Sequence, residues 1–184
     1  VPRTARRFGV LGVLGLLLSL SAIAADKAAA PASLRLYVMD CGRIDVTDMG
    51  WFSDTGEYDG KAGTMSVPCF LIRHPKGDLL WDAGLGDELV ALPDGRQPYP
   101  HIHESAKTTL AEQLQRIGLS VDLIDFFAFS HAHADHTGNA NALRHATWIV
   151  NRKELDGLAT TPGVRPELLS AREIAWSARL PQLL

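Results

Sequence analysis

The sequence predicts a mixed α+β fold, and three observations carry that prediction. Two apolar strands joined by a Pro/Gly turn span 67–81. An amphipathic helix over 108–117 runs through a short connection into an apolar, aromatic stretch at 124–129 that reads as a buried strand. That strand ends in Ser130-His131-Ala132-His133-Ala134-Asp135-His136, which places three imidazoles and one carboxylate on a loop at a strand end. Sheets with alternating helices and strands hold their reactive groups at such ends.

Taken in order, the chain opens with a leader. Arg3, Arg6 and Arg7 form a positive head, 10–20 is a short Leu-rich run, and Ala22-Ile23-Ala24 offers small residues at cleavage spacing. Residues 1–24 therefore read as a signal peptide and 25–33 as a flexible lead, with 34–184 as the folded domain. Arg6-Arg7-Phe8 hints at twin-arginine export. A periplasmic or secreted location follows, without stable membrane insertion after cleavage. The formal charge of -3 becomes about -6 once the leader's arginines are removed, which argues against a nucleic-acid partner. At 184 residues and 46% hydrophobic content, one domain with a sizeable core is expected.

Leu34 to Met39 reads as the first strand, ended by Asp40-Cys41-Gly42. Residues 48–65, rich in Asp, Gly, Ser and Thr, read as a loop whose Trp51 and Phe52 either wall a pocket for an apolar group or fold back onto the core. Val67 to Arg73 and Asp78 to Trp81 form the hairpin, and Asp82-Ala83-Gly84 follows, where Gly84 permits a sharp turn. Residues 90–103 hold three prolines and a glycine and read as a surface loop carrying His101 and His103. The helix at 108–117 has Thr109 and Glu112 at capping-box spacing and Gly118 as its stop. Beyond the histidine loop, 139–143 starts a short helix and 147–150 is a strand, followed by helical stretches at 152–158 and 166–177. Cys41 and Cys69 either bridge or remain buried thiols, and neither has metal-ligand spacing.

The loop's chemistry favours metal. Imidazole and carboxylate together suit Zn²⁺, Mn²⁺ or Fe²⁺. His131 and His133, two apart, turn to one side of an extended segment, whereas Asp135 and His136 lie where the chain turns and face another point. Two divalent ions, zinc the favoured one, are the easier geometry: His131 and His133 on the first, Asp135 and His136 on the second.

His-x-His-x-Asp-His after a hydrophobic strand resembles the signature of the metallo-β-lactamase-like hydrolase superfamily. The resemblance implies the same ligand assignment and an αββα sandwich, two sheets with helices outside, of which 34–184 would be about the first half. It also implies that Asp82 braces the metal loop through hydrogen bonds without ligating; a solvent-facing Asp beside a glycine is the plain alternative. Within the superfamily the sequence is most similar to the N-acyl-homoserine lactonase-like branch. That likeness lies in Leu36-Tyr37-Val38 with Asp40-Cys41-Gly42, in 69–77 running into Leu80-Trp81-Asp82-Ala83-Gly84, and in Leu110-Ala111-Glu112-Gln113-Leu114.

The activity so implied is metal-dependent hydrolysis of a small-molecule ester or lactone, through a hydroxide activated by the metals. Asp135 would orient the nucleophile or shuttle a proton besides ligating, and Trp51 and Phe52 would meet an acyl tail. A β-lactamase, a glyoxalase-type thioester hydrolase and a non-catalytic metal-binding module are the alternatives. The family draws further ligands from the second half of its fold. After His136 this chain offers only His145 as imidazole and only Asp156 as Asp, and no tyrosine follows Tyr99. Residues 1–184 alone are accordingly expected to stop midway through the fold and to show little or no hydrolase activity. The sequence carries no expectation for oligomeric state.

Overall fold

A computed structural model describes residues 29–154 and 156. The predicted signal peptide, the start of the lead, most of the helix predicted from 152 and the helix at 166–177 lie outside the described residues.

The described residues build one seven-stranded mixed sheet. Its strands are β1 (Arg35–Val46), β2 (Gly63–His74), β3 (Gly77–Trp81), β4 (Arg96–Tyr99), β5 (Ile102–Ser105), β6 (Phe126–Ala128) and β7 (Thr147–Ile149), in the spatial order β4-β5-β1-β2-β3-β6-β7. β1 to β5 pair antiparallel, whereas β3–β6 and β6–β7 are parallel. The α+β class is as the sequence predicts. The implied sandwich has two sheets, of which the described residues form one.

Alternation in the strands decides which face is covered. On β1, Leu36 and Val38 point outward and stay exposed, and Met39 and Cys41 are buried. The inner face joins Cys69, Leu71, Leu80, Phe127 and Trp148 with Leu110 and Leu114 of α1 (Leu110–Gln115) in one core cluster. A second cluster around Ile44, Val46, Val67, Leu85 and Leu89 fills the other end of β1.

Three sequence expectations need correction. β1 does not end at Asp40-Cys41-Gly42: the register shifts between Asp40 and Arg43, and pairing with β2 resumes at Ser66. This bulge inserts one extra residue without ending the strand and resets the alternation, so that Ile44 and Val46 face inward as Met39 and Cys41 do. The loop predicted to reach residue 65 ends sooner, since β2 begins at Gly63 and a 3-10 turn occupies Met49–Phe52. The stretch 90–103 is no plain loop: it holds β4 and the first half of β5. β4 is an outer strand of the sheet, and Pro98 sits where its register with β5 is irregular, between Arg96 and Tyr99.

α1 is shorter than 108–117 but starts as predicted. Thr109 accepts from the Glu112 N–H at 3.0 Å, and Glu112 accepts from the Thr109 N–H at 3.1 Å. The open cysteine question resolves as a bridge, Cys41–Cys69, joining β1 to β2.

Candidate metal centre

The site arises where two parallel strands end together. Trp81 of β3 sits beside Ala128 of β6, and the Asp82 N–H donates to the Ala128 carbonyl at 2.8 Å. Residues following both strands therefore emerge side by side: Asp82 from one, the histidine loop from the other. The two segments then zip together. Ala83 N–H donates to the His136 carbonyl at 2.8 Å, and Gly138 N–H donates to the Gly84 carbonyl at 2.7 Å. The approach is close enough that a Cβ on Gly138 would fall on the backbone of Leu85 and its neighbours, so glycine is required there.

Asp82 is the one described non-glycine residue with positive φ, at 58°. This left-handed turn swings its carboxylate back under the loop, where it is almost wholly buried. It accepts from the Ser130 N–H at 2.8 Å and lies 3.2 and 3.3 Å from the Ser130 hydroxyl. Its other oxygen is 2.9 Å from His136 Nδ1. A carboxylate can only accept, so the hydrogen in this contact lies on Nδ1, and Nε2 is the nitrogen turned to the open side of the loop. Nε2 is 3.2 Å from an Asp135 oxygen.

The loop collects its rings. The centroids of His131 and His133 are 4.5 Å apart and those of His131 and His136 are 4.1 Å apart. His133 is extended (φ -66°, ψ 154°), and a short helix, α2 (Ala134–Thr137), begins immediately after it. That change of backbone brings the His136 ring back against His131, nearer to it than His133 is. Among the described residues no three His, Cys, Asp or Glu side chains converge on one point. In chemistry, three imidazoles and one carboxylate are a donor set that suits divalent ions such as zinc.

The structure does not bring Trp51 and Phe52 into this cluster. Both are more than half exposed, at 53% and 55%, so they have not folded onto the core. Among the described residues the ring partner of Trp51 is His101, at 5.1 Å. His101 lies 3.0 Å from the Thr47 hydroxyl and His103 lies 2.7 Å from the Asp94 carbonyl, both beside the β4–β5 hairpin.

Sequence reasoning gave no role to three residues that hold the site. The Ser130 hydroxyl lies 3.2 Å from His131 Nδ1 and 3.1 Å from His136 Nδ1, bridging both rings to Asp82. Its place directly before His-x-His was the available signal. Asn139 donates to the Ala83 carbonyl at 2.9 Å and to Asp87 at 3.1 Å. Asp87 in turn accepts from the Leu110 N–H at 2.7 Å, tying α1 to the site. Nothing local in the sequence marks the last two.

Known proteins resemble this chain in sequence and in fold. N-acyl homoserine lactonase AttM of Azorhizobium caulinodans is 30% identical over 134 residues, which cover 70% of this chain and 49% of that protein. The chain thus spans about half the length of the curated relatives it matches. Among solved structures, an N-acyl homoserine lactone hydrolase with the product N-hexanoyl-L-homoserine bound at its catalytic metal centre superposes with a TM-score of 0.62 at 23% identity, over 77% of this chain and 58% of that one. AidC, a dizinc quorum-quenching lactonase in complex with a product, gives a TM-score of 0.51 at 20% identity, over 70% and 45%. At these identities the superpositions establish the fold. The family profile described as the Metallo-beta-lactamase superfamily matches residues 62–178, the hairpin, the Asp82 turn and the histidine loop within it, and the chain belongs to that superfamily.

Proposed function

We propose that the protein containing this chain is an exported, metal-dependent hydrolase that opens lactones, N-acyl homoserine lactones among them. One observation carries the reading: the paired ends of β3 and β6 place His131, His133, Asp135 and His136 together over the buried carboxylate of Asp82. The sequence similarity to AttM lactonases supports the substrate class. The Cys41–Cys69 bridge suits an oxidising compartment and supports a periplasmic or secreted location.

In this reading His131 and His133 hold one divalent ion and Asp135 and His136 the other, with zinc the favoured metal. The ions would supply Lewis acidity, polarising the lactone carbonyl and yielding a nucleophile at neutral pH. The chain's own residues do the rest. Asp82 and Ser130 hold His136 and His131 through Nδ1, presenting Nε2 outward. Asp135 is 28% exposed at its side chain against 7% for Asp82, so Asp135 reaches the substrate side and Asp82 does not. Asp135 takes the proton as a water oxygen bonds to the carbonyl carbon. It returns that proton to the ring oxygen as the carbon–oxygen bond breaks, leaving a hydroxy acid. Trp51 and Phe52 are the surface offered to an acyl tail.

The test is hydrolysis by the purified, zinc- or manganese-loaded protein of one N-acyl homoserine lactone, one penicillin and one glutathione thioester at neutral pH. The lactone is expected to be cleaved fastest, with turnover lost on His131→Ala. Fast cleavage of either other substrate with slow lactone opening overturns the choice of substrate. Among the described residues no three potential ligands converge, which favours a second reading, a non-catalytic metal-binding module. Stoichiometric zinc without turnover on any of the three substrates would establish it.

A further inference from the structure

A third parallel strand ends at the same edge. Ile149 of β7 sits beside Ala128 of β6, so the residues after β7 emerge next to the histidine loop, as Asp82 does from the other side. Residues 152–154 are helical, and Asn151 caps them by accepting from the Lys153 N–H at 2.9 Å. Asn151-x-x-Glu154 has the spacing of a capping box, in which the Glu would return to the N–H of its own cap. The structure uses the carboxylate otherwise. A Glu154 oxygen accepts from the Ala132 N–H at 3.0 Å, 22 residues back in the chain.

Ala132 is the residue between His131 and His133. Its methyl packs against the main core cluster while its N–H is held by Glu154. The chain bends through 130–133, and holding the Ala132 N–H by Glu154 and its methyl by the core fixes the backbone from which both neighbouring imidazoles leave. We propose that Glu154 is a positioning residue: by clamping the Ala132 N–H it sets the His131–His133 pair for the first metal ion. The proposal rests on the reading of His131 and His133 as ligands. Asp82 and Ser130 hold the rings of His131 and His136, and none of their bonds reaches His133. Glu154 and the core hold the backbone between the two imidazoles.

The test compares the whole protein with Glu154→Ala, Glu154→Gln and Glu154→Asp, using Co²⁺ alone as the probe. Glutamine keeps an acceptor oxygen at the same reach, whereas aspartate keeps the charge but falls one methylene short. Cobalt affinity is expected to fall about 10–100-fold in the Ala and Asp variants, the range for groups that orient metal ligands, and to stay near wild type in Gln. The cobalt d–d absorption band should shift in the same two variants. In metal-free protein, amide exchange at Ala132 should quicken in Ala and Asp and not in Gln. Cobalt affinity and Ala132 exchange unchanged in Glu154→Ala overturn the proposal alone. Wild-type protein that binds no cobalt overturns the ligand reading, and the proposal with it.

Discussion

Asp82 joins two unusual properties, a left-handed backbone and a buried carboxylate, and both serve the same contacts. With φ at 58°, alanine at this position would keep the backbone strain and lose every bond to Ser130 and His136. Asparagine tolerates the conformation and keeps one acceptor for the Ser130 N–H, but sets either an amide N–H₂ or a weaker acceptor against His136 Nδ1. We expect Asp82→Ala to weaken zinc retention about 10–100-fold and Asp82→Asn to fall between it and wild type. Equilibrium dialysis against a zinc buffer measures both, and a crystal of the zinc form with an Asp82 oxygen about 2 Å from metal would assign it as a ligand instead. The four proposed ligands could be read from sequence because they are contiguous. Ser130, Asn139 and Asp87 could not, because their partners lie up to 56 residues away and meet them only when β3 and β6 pair.

Among the elements, local chemistry decided what was legible. α1 announces itself through Thr109, Glu112 and Gly118, all within its own turn of chain. β4 and β5 stayed hidden because Gly95, Pro98 and Pro100 read as breakers, and Pro98 is acceptable in a strand because that strand lies at the sheet's edge with an irregular register. The 3-10 turn at Met49–Phe52 depends on Asp48, whose carboxylate accepts from the Gly60 N–H at 2.8 Å and the Gly50 N–H at 2.9 Å. These two bonds, Gly60 first, hold its pKa below the ordinary 3.8. A depressed carboxylate steadies the folded turn above its unfolded pKa and ceases to do so as pH falls through the folded value. The turn carrying Trp51 should therefore stay fixed near neutrality and loosen as pH drops below about 3.8. The Trp51 indole resonance followed through an acid titration reports this. Asp48→Asn, which keeps an acceptor and cannot titrate, should flatten the response.

At the scale of the molecule, the sheet has two tasks. Antiparallel and parallel strands alike bury the core, and the parallel trio β3, β6 and β7 also brings three chain segments to one edge. The disulfide is where the two tasks meet. Cys41 lies in the β1 bulge, and its carbonyl accepts from the Leu85 N–H at 3.1 Å, just after the Asp82 turn. Gly84 packs so tightly over Cys41 that a Cβ there would meet the Cys41 side chain. The bridge spans 28 residues, and a loop of that length constrains the unfolded chain by roughly 3–4 kcal/mol. For a domain of this size that corresponds to a fall of about 6–16 °C in Tm on reduction. Both sulfurs sit in the core, so reduction should need denaturant or heat, and the shift should appear only in samples reduced while unfolded and then refolded. The Cys41→Ser/Cys69→Ser variant should melt at the reduced temperature whatever the redox buffer. Because Leu85 hangs from the Cys41 carbonyl, amide exchange at Leu85 should quicken with the loss of the bridge, while exchange at Glu112 in the self-capped α1 stays unchanged. Equal quickening at both positions would mean that the bridge acts on global stability alone and does not support the Asp82 turn.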